Sequence, residues 1–123
     1  MQLDHVFIAP HDFEAALAFY RDQLGLDILS TWGEAGKRAA SLGGVGGRVL
    51  VLAEKPDGNS RTAVDGYLGH RPTLHLKTDD IERDYARATD AGAVFVVPLQ
   101  PTHWKTRWFV LEDPDGNLIA VEQ

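Results

Sequence analysis

The chain has 123 residues, of which 44% are hydrophobic and 24% are charged, values typical of one globular domain. The net charge is −6 and the 12 Lys and Arg residues are scattered, which argues against nucleic acids and anionic membranes as partners. The chain has no cysteine, which excludes disulfides and a cysteine nucleophile. It shows no transmembrane run or signal-peptide pattern, so we expect a cytoplasmic protein. The expected partners are a small organic molecule and a second copy of the chain.

The first half of the sequence predicts a strand, a helix and three further strands. Hydrophobic residues alternate over residues 3–9, which is typical of a strand. Asp12 or His11 then stands near a helix N-cap position, and Gly25 follows the helical pattern where a left-handed residue ends a helix. Three short strands with glycine-rich turns between them follow at residues 26–31, 38–42 and 48–54.

The second half repeats this order after a polar linker, residues 57–70. A strand is predicted at residues 73–78, followed by a helix that two aspartates open and Gly92 closes. Three more strands are predicted at residues 93–98, 104–112 and 117–122. The Asp-Pro-Asp-Gly sequence at residues 113–116 predicts a tight turn between the last two.

The helical patterns repeat at an offset of 68 residues, from Phe13 to Ile81. A repeat of about half the chain indicates a doubled unit, since neither half would bury its sheet face alone. We therefore predict a single α+β domain of two βαβββ modules. Module 1 covers about residues 1–56 and module 2 about residues 71–123.

Three stretches together resemble one family of proteins. They are Leu-Asp-His-Val at residues 3–6, Phe-Tyr-Arg-Asp-Gln-Leu-Gly-Leu at residues 19–26 and Glu-Asp-Pro-Asp-Gly-Asn-Leu-Ile at residues 112–119. In this order they resemble the vicinal oxygen chelate superfamily, which includes glyoxalase I, extradiol dioxygenases and bleomycin-resistance proteins. The resemblance implies a pseudo-twofold pair of modules forming a U-shaped mixed sheet around a cleft, often a divalent metal and often a dimer. It leaves the function open, because the superfamily includes lyases, dioxygenases, transferases and binding proteins.

The resemblance places metal ligands on the first and last strand of each module. His5 stands at the first of these positions. At two others the sequence departs from the family, because Thr73 rather than His75 corresponds to His5, and Ala120 rather than Glu122 follows the turn. Side chains alternate with period two, so His75 and Glu122 are displaced by the same amount and stay on one face. We therefore expect these two residues to be neighbours.

Two interpretations remain open. In the first, His5, His75 and Glu122 bind one Fe, Mn, Ni or Zn ion, and His75 and Glu122 act as catalytic residues of a lyase, isomerase or dioxygenase. In the second, the metal site is lost or displaced, Glu122 orients the His75 imidazole, and the protein binds a small molecule without chemistry. The departures from the family pattern favour the second.

Glu54 is a further candidate metal ligand, and its position depends on how the modules are aligned. It precedes Glu122 by the same offset of 68 residues. Alignment on the preceding glycines instead places Val51 opposite Ala120. The sequence leaves both alignments open.

Aromatic side chains indicate a candidate ligand-binding surface. Trp104, Thr106 and Trp108 fall on one face of the predicted strand 104–112. Indole rings in this arrangement could bind a ring or an acyl chain, and core or dimer packing explains them equally well. The other candidate ligand-binding residues are Phe7 beside the first predicted ligand, Lys77 on the predicted face of His75, and His103 beside Trp104.

Overall fold

A computed structural model of the protein describes residues 1–54 and 74–123. The chain divides into two compact units, and these two described ranges fall in the first and the second unit, respectively. The predicted linker at residues 57–70 and the position of Thr73 lie outside the described residues. Neither α-helix among the described residues is long and apolar enough to cross a bilayer.

The first unit holds one sheet and one helix. Its elements are β1 (Val6–Ile8), α1 (Phe13–Ala18) with a π-helical continuation (Phe19–Gln23), β2 (Asp27–Trp32), β3 (Ala39–Gly44) and β4 (Gly47–Ala53). The strand order of this first sheet is β1-β4-β3-β2, with β1 parallel to β4. As predicted, the Asp12 side chain caps α1 and accepts from the Ala15 amide at 3.0 Å. Gly25 has a φ of +70°, which confirms the left-handed residue after the helix.

The second unit repeats this arrangement. Its elements are β5 (Leu74–Lys77), α2 (Ile81–Asp90), β6 (Phe95–Pro101), β7 (Arg107–Glu112) and β8 (Leu118–Glu122). The strand order of this second sheet is β5-β8-β7-β6, with β5 parallel to β8. Asp80 caps α2 by accepting from the Arg83 amide at 3.1 Å. The described residues therefore form eight strands in two βαβββ modules, which confirms the predicted α+β fold.

The second sheet has one face toward α2 and one face away from it. Tyr85 of α2 packs on Phe95 and Phe109, with ring centroids 4.7 and 5.3 Å apart. Because side chains alternate along a strand, the neighbours of Phe109 on β7 point the other way. The residues of β7 and β8 on that opposite face, which we call the site face, are Trp108, Val110, Glu112, Leu118, Ala120 and Glu122.

The predicted strand 104–112 begins only at Arg107, so the placement of Trp104 on a strand was wrong. Trp104 lies in the turn between β6 and β7. The Thr102 hydroxyl accepts from the Thr106 amide at 3.0 Å, and the Thr102 amide donates to the Thr106 carbonyl at 2.8 Å. These bonds close a tight turn in which Lys105 has a φ of +73°, and alternation within a strand does not extend through such a turn.

The strand registers settle the alignment of the two modules. Phe7 pairs with Val51 in the first sheet, and His75 pairs with Ala120 in the second. Since the offset of 68 makes Phe7 correspond to His75, Val51 corresponds to Ala120, as the glycine alignment proposed. The same ladders pair Ala53 with Ala39 and Glu122 with Trp108. Glu122 thus corresponds to Ala53, and the offset of 68 that linked Glu54 to Glu122 does not hold on the last strand.

Candidate functional site

Glu122 lies at the end of β8 with three side-chain donors around its carboxylate. Its Oε1 accepts from Trp104 Nε1 at 2.8 Å and from Thr106 Oγ1 at 2.7 Å. Its Oε2 lies 2.5 Å from Nε2 of His75. The bond from the Trp104 indole, followed by the bond from Thr106, holds the pKa of Glu122 below its ordinary value of 4.5. The carboxylate is therefore ionised at neutral pH.

The contact with Glu122 fixes the tautomer of His75. An ionised carboxylate only accepts hydrogen bonds, so Nε2 of His75 carries the proton and donates it. In the neutral imidazole, Nδ1 is then an acceptor. The His75 side chain is 49% exposed. The bond confirms that His75 and Glu122 are neighbours, although in strand register His75 lies opposite Ala120 and Glu122 lies opposite Lys77.

Four rings next to Glu122 form a continuous series that we call the aromatic row, consisting of His103, Trp104, Trp108 and His75. His103 and Trp104 are edge to face with centroids 4.7 Å apart, and Trp104 and Trp108 are edge to face at 5.4 Å. Trp108 and His75 are nearly parallel at 6.1 Å, with a 30° angle between their planes. Three candidate ligand-binding residues and the candidate catalytic histidine therefore lie together.

A buried apolar cluster supports the aromatic row. Val110, Leu118 and Ala120 form this cluster, against which Val97 and Trp108 pack. The surface that suits a flat hydrocarbon skeleton is the exposed part of the rings, since the cluster itself is buried.

Lys77 contributes a positive charge to this region. It pairs in register with Glu122 on the neighbouring strand and shares a strand face with His75, two residues earlier. Its side chain is exposed and forms no ion pair within residues 1–54 and 74–123. Lys77 therefore places an ammonium group on the same face as the aromatic row.

Thr106 is a site residue that the sequence pattern predicted only as part of a strand face. It donates to Glu122 and also closes the turn through Thr102. In the sequence, only its position between Trp104 and Trp108 pointed to the site. That its hydroxyl donates to Glu122 became clear only from the structure of the turn.

His5 and Phe7 lie in the first unit. The Nδ1 atom of His5 contacts the Asp4 carboxylate, which also pairs with Arg48. The His5 and Phe7 rings are 5.5 Å apart, and Phe7 is 64% exposed on β1. The structure thus gives His5 a carboxylate partner next to it in sequence.

Glu54 is bound by one arginine. Its Oε2 accepts from the backbone amide of Arg38 at 3.0 Å and from Arg38 Nε at 3.1 Å, and its Oε1 accepts from Arg38 Nη2 at 3.0 Å. The Arg38 guanidinium lies over the Phe13 ring at 4.8 Å and also pairs with Glu14 of α1. These bonds lower the pKa of Glu54 from 4.5 to about 2.

The candidate metal ligands can be tested for fit to a divalent ion. Within the part of the chain that the structure describes, no group of three His, Asp or Glu side chains is arranged to hold a metal. Both oxygens of Glu122 and both oxygens of Glu54 accept bonds from protein donors. Each of these two carboxylates is therefore already hydrogen-bonded within its own unit. The assignment of His5, His75, Glu122 and Glu54 as ligands stays a prediction.

Comparison with known proteins gives the family. The model of the Glyoxalase/Bleomycin resistance protein/Dioxygenase superfamily matches residues 2–121. The chain therefore belongs to this superfamily, which confirms the resemblance found in its sequence. An uncharacterized protein from Shewanella frigidimarina is 33% identical over an alignment that covers 97% of this chain and 90% of that protein.

Two solved structures are similar over nearly the whole chain. TnmS3, an antibiotic binding protein from Streptomyces sp. CB03234, is 27% identical with a TM-score of 0.75, covering 100% of this chain and 95% of that one. A glyoxalase/bleomycin resistance protein from the same Streptomyces strain is 26% identical with a TM-score of 0.70, covering 98% of this chain and 100% of that one.

Proposed function

We propose that the protein binds a small organic molecule with a flat ring on the site face of the second sheet, without chemical reaction. The observation that carries this proposal is the aromatic row around an ionised carboxylate whose two oxygens already accept protein hydrogen bonds. Because both oxygens of Glu122 already accept hydrogen bonds from the protein, this carboxylate is suited to positioning its neighbours. The alternative predicted from the sequence, a divalent-metal-dependent lyase, isomerase or dioxygenase, stays a prediction.

The two tryptophans give the proposed site its shape. The planes of Trp104 and Trp108 meet at 77°, so a flat ring that stacks on one indole presents its edge to the other. Stacked and edge-to-face contacts of this kind contribute about 0.5–1.5 kcal/mol each beyond area burial. Trp104 is 45% exposed, which leaves ring surface for a ligand to cover.

A relative supports binding as the function. TnmS3 is described as an antibiotic binding protein, and it resembles this chain over almost its full length. Together with the aromatic row, this likeness favours ligand binding over catalysis for this chain.

An NMR titration tests the proposal. With 2-methoxynaphthalene, a flat and uncharged probe, we expect the indole N–H signals of Trp104 and Trp108 to shift progressively. Trp108→Ala should abolish saturable binding, because it removes the ring between Trp104 and His75. Val94→Ala, which shortens an exposed apolar side chain outside the row, is the control and should bind as the wild type does. Indole signals that do not move, or equal effects of both variants, would contradict the proposed site.

We also propose that the protein is a homodimer. Strand β2 is an outer strand of the first sheet, and all six of its side chains are exposed. Exposed apolar residues on this strand are Ile28, Leu29 and Trp32. An open strand with apolar side chains is a surface that association can cover.

A further inference from the structure

Resting on the function proposed above, we infer that the site selects phenols, which are flat rings that carry a hydroxyl group. The hydroxyl would donate its hydrogen bond to Nδ1 of His75. The inference follows from the hydrogen-bonding groups beside the aromatic row to which residues 1–54 and 74–123 supply no partner.

His75 offers a ligand a hydrogen-bond acceptor. Nε2 of His75 is committed to the Glu122 carboxylate at 2.5 Å, which leaves Nδ1 as the acceptor of the neutral ring. No hydrogen bond to Nδ1 is formed within residues 1–54 and 74–123, and the side chain is half exposed. The imidazole is also held by its nearly parallel contact with Trp108. An oriented and open acceptor favours a ligand that donates.

The Glu122 carboxylate is mostly occupied by protein donors. A carboxylate offers about four lone-pair sites, and Trp104, Thr106 and His75 occupy three of them. Little accepting capacity remains for a ligand. Glu122 therefore acts as a positioning residue, which holds Trp104 and His75 in place.

The charge of Lys77 affects which ligands the site accepts. Lys77 lies on the same strand face as His75 and pairs in register with Glu122. Its ammonium group offsets the charge of the Glu122 carboxylate, so this face offers no net negative charge to compensate the desolvation of a cationic ligand. A phenol therefore fits better than an aromatic amine that carries a positive charge.

Calorimetric titration of the full chain with three matched probes tests this inference. The probes are 2-naphthol, its methyl ether 2-methoxynaphthalene, and the cation 2-naphthylmethylammonium. We expect 2-naphthol to bind roughly twofold to twelvefold more tightly than the ether, the range that one net hydrogen bond supplies. The cation should bind more weakly than 2-naphthol.

Two variants separate the acceptor from general packing. His75→Phe keeps a ring beside Trp108 and removes Nδ1, so the preference for 2-naphthol over the ether should vanish while the ether still binds. Glu122→Gln should also reduce the preference, because an amide no longer imposes the tautomer that leaves Nδ1 open. The loss of preference, rather than of binding, distinguishes this role from a merely structural one.

The outcomes distinguish the two proposals. Equal affinity for 2-naphthol and its ether, or tighter binding of the cation, would overturn the selection of phenols and leave the proposed binding function intact. A preference that persists in His75→Phe would overturn it as well. Failure of both neutral probes to bind would overturn the proposed function and the inference with it.

Discussion

Glu122 connects groups from two distant parts of the sequence, the strand of His75 and the turn of Trp104. The chain separates His75 from Glu122 by 47 positions, and Trp104 reaches the same carboxylate from the turn before β7. Since charge-assisted hydrogen bonds are stronger than neutral ones, a single ionised side chain fixes two rings of the aromatic row. The state of this carboxylate should therefore be visible at the Trp104 indole.

The pH dependence of the Trp104 indole signal provides the first prediction. The lowered pKa of Glu122 means that its hydrogen bonds are fully present above pH 4.5 and are lost as the pH falls through the folded-state value, which lies below 4.5. The Trp104 N–H shift should show a transition centred below pH 4.5. In Glu122→Gln this transition should disappear. A shift that titrates identically in both proteins would show that Trp104 does not report on Glu122.

The sequence predicted one part of this cluster and missed another. The equal displacement of His75 and Glu122 from the family positions was enough to make them neighbours, because strand alternation carries that information. The bond from Trp104 could not be predicted in this way. It depends on a turn with a left-handed Lys105, a conformation that non-glycine residues seldom adopt.

Each module has the same pattern of strand pairing, and the two differ in the side chains at the end of the last strand. Where the second sheet has Trp108 opposite Glu122, the first has Ala39 opposite Ala53. The element order could be read from hydrophobic period and turn residues. The register could not, because each first-sheet hairpin contains a register shift that periodicity does not show.

A glycine pair in the β3–β4 hairpin provides the second prediction. A Cβ on Gly43 would lie 2.0 Å from the Gly47 carbonyl oxygen, whereas a Cβ on Gly44 would meet nothing within 4 Å. Gly43→Ala should lower the free energy of unfolding by about 1–3 kcal/mol through overpacking. Gly44→Ala, the matched control, should change it by about 0.5 kcal/mol or less. Urea denaturation measures both, and equal losses would contradict the close approach at Gly43.

The Arg38–Glu54 pair provides the third prediction. The pKa of Glu54 is lowered from 4.5 to about 2, so its contribution to stability is fully present above pH 4.5 and is lost as the pH falls toward 2. Thermal unfolding across this range should show a decline that Glu54→Gln reduces. Glu34→Gln, which alters an exposed carboxylate without an ion pair among the described residues, should retain the wild-type decline. Identical profiles for wild type and Glu54→Gln would show that the pair does not contribute.

Association of the whole molecule provides the fourth prediction. Light scattering should give about twice the monomer mass of 13.5 kDa at micromolar concentrations. Leu29→Lys places a charge on the exposed strand β2 and should shift the protein toward monomer. Val45→Lys adds the same charge to an exposed turn residue and should leave the mass unchanged. A wild-type protein that stays at 13.5 kDa would contradict the dimer.

The central claim is that the aromatic row binds a flat ligand without a metal, and calorimetry tests it most directly. The affinity for 2-naphthol is measured on chelator-treated protein and again after addition of Zn²⁺, Mn²⁺, Ni²⁺ or Fe²⁺. We predict affinities that agree within about twofold in all these samples and binding that is lost in Trp108→Ala. Binding that requires one of these ions, or that survives in Trp108→Ala, would contradict the claim.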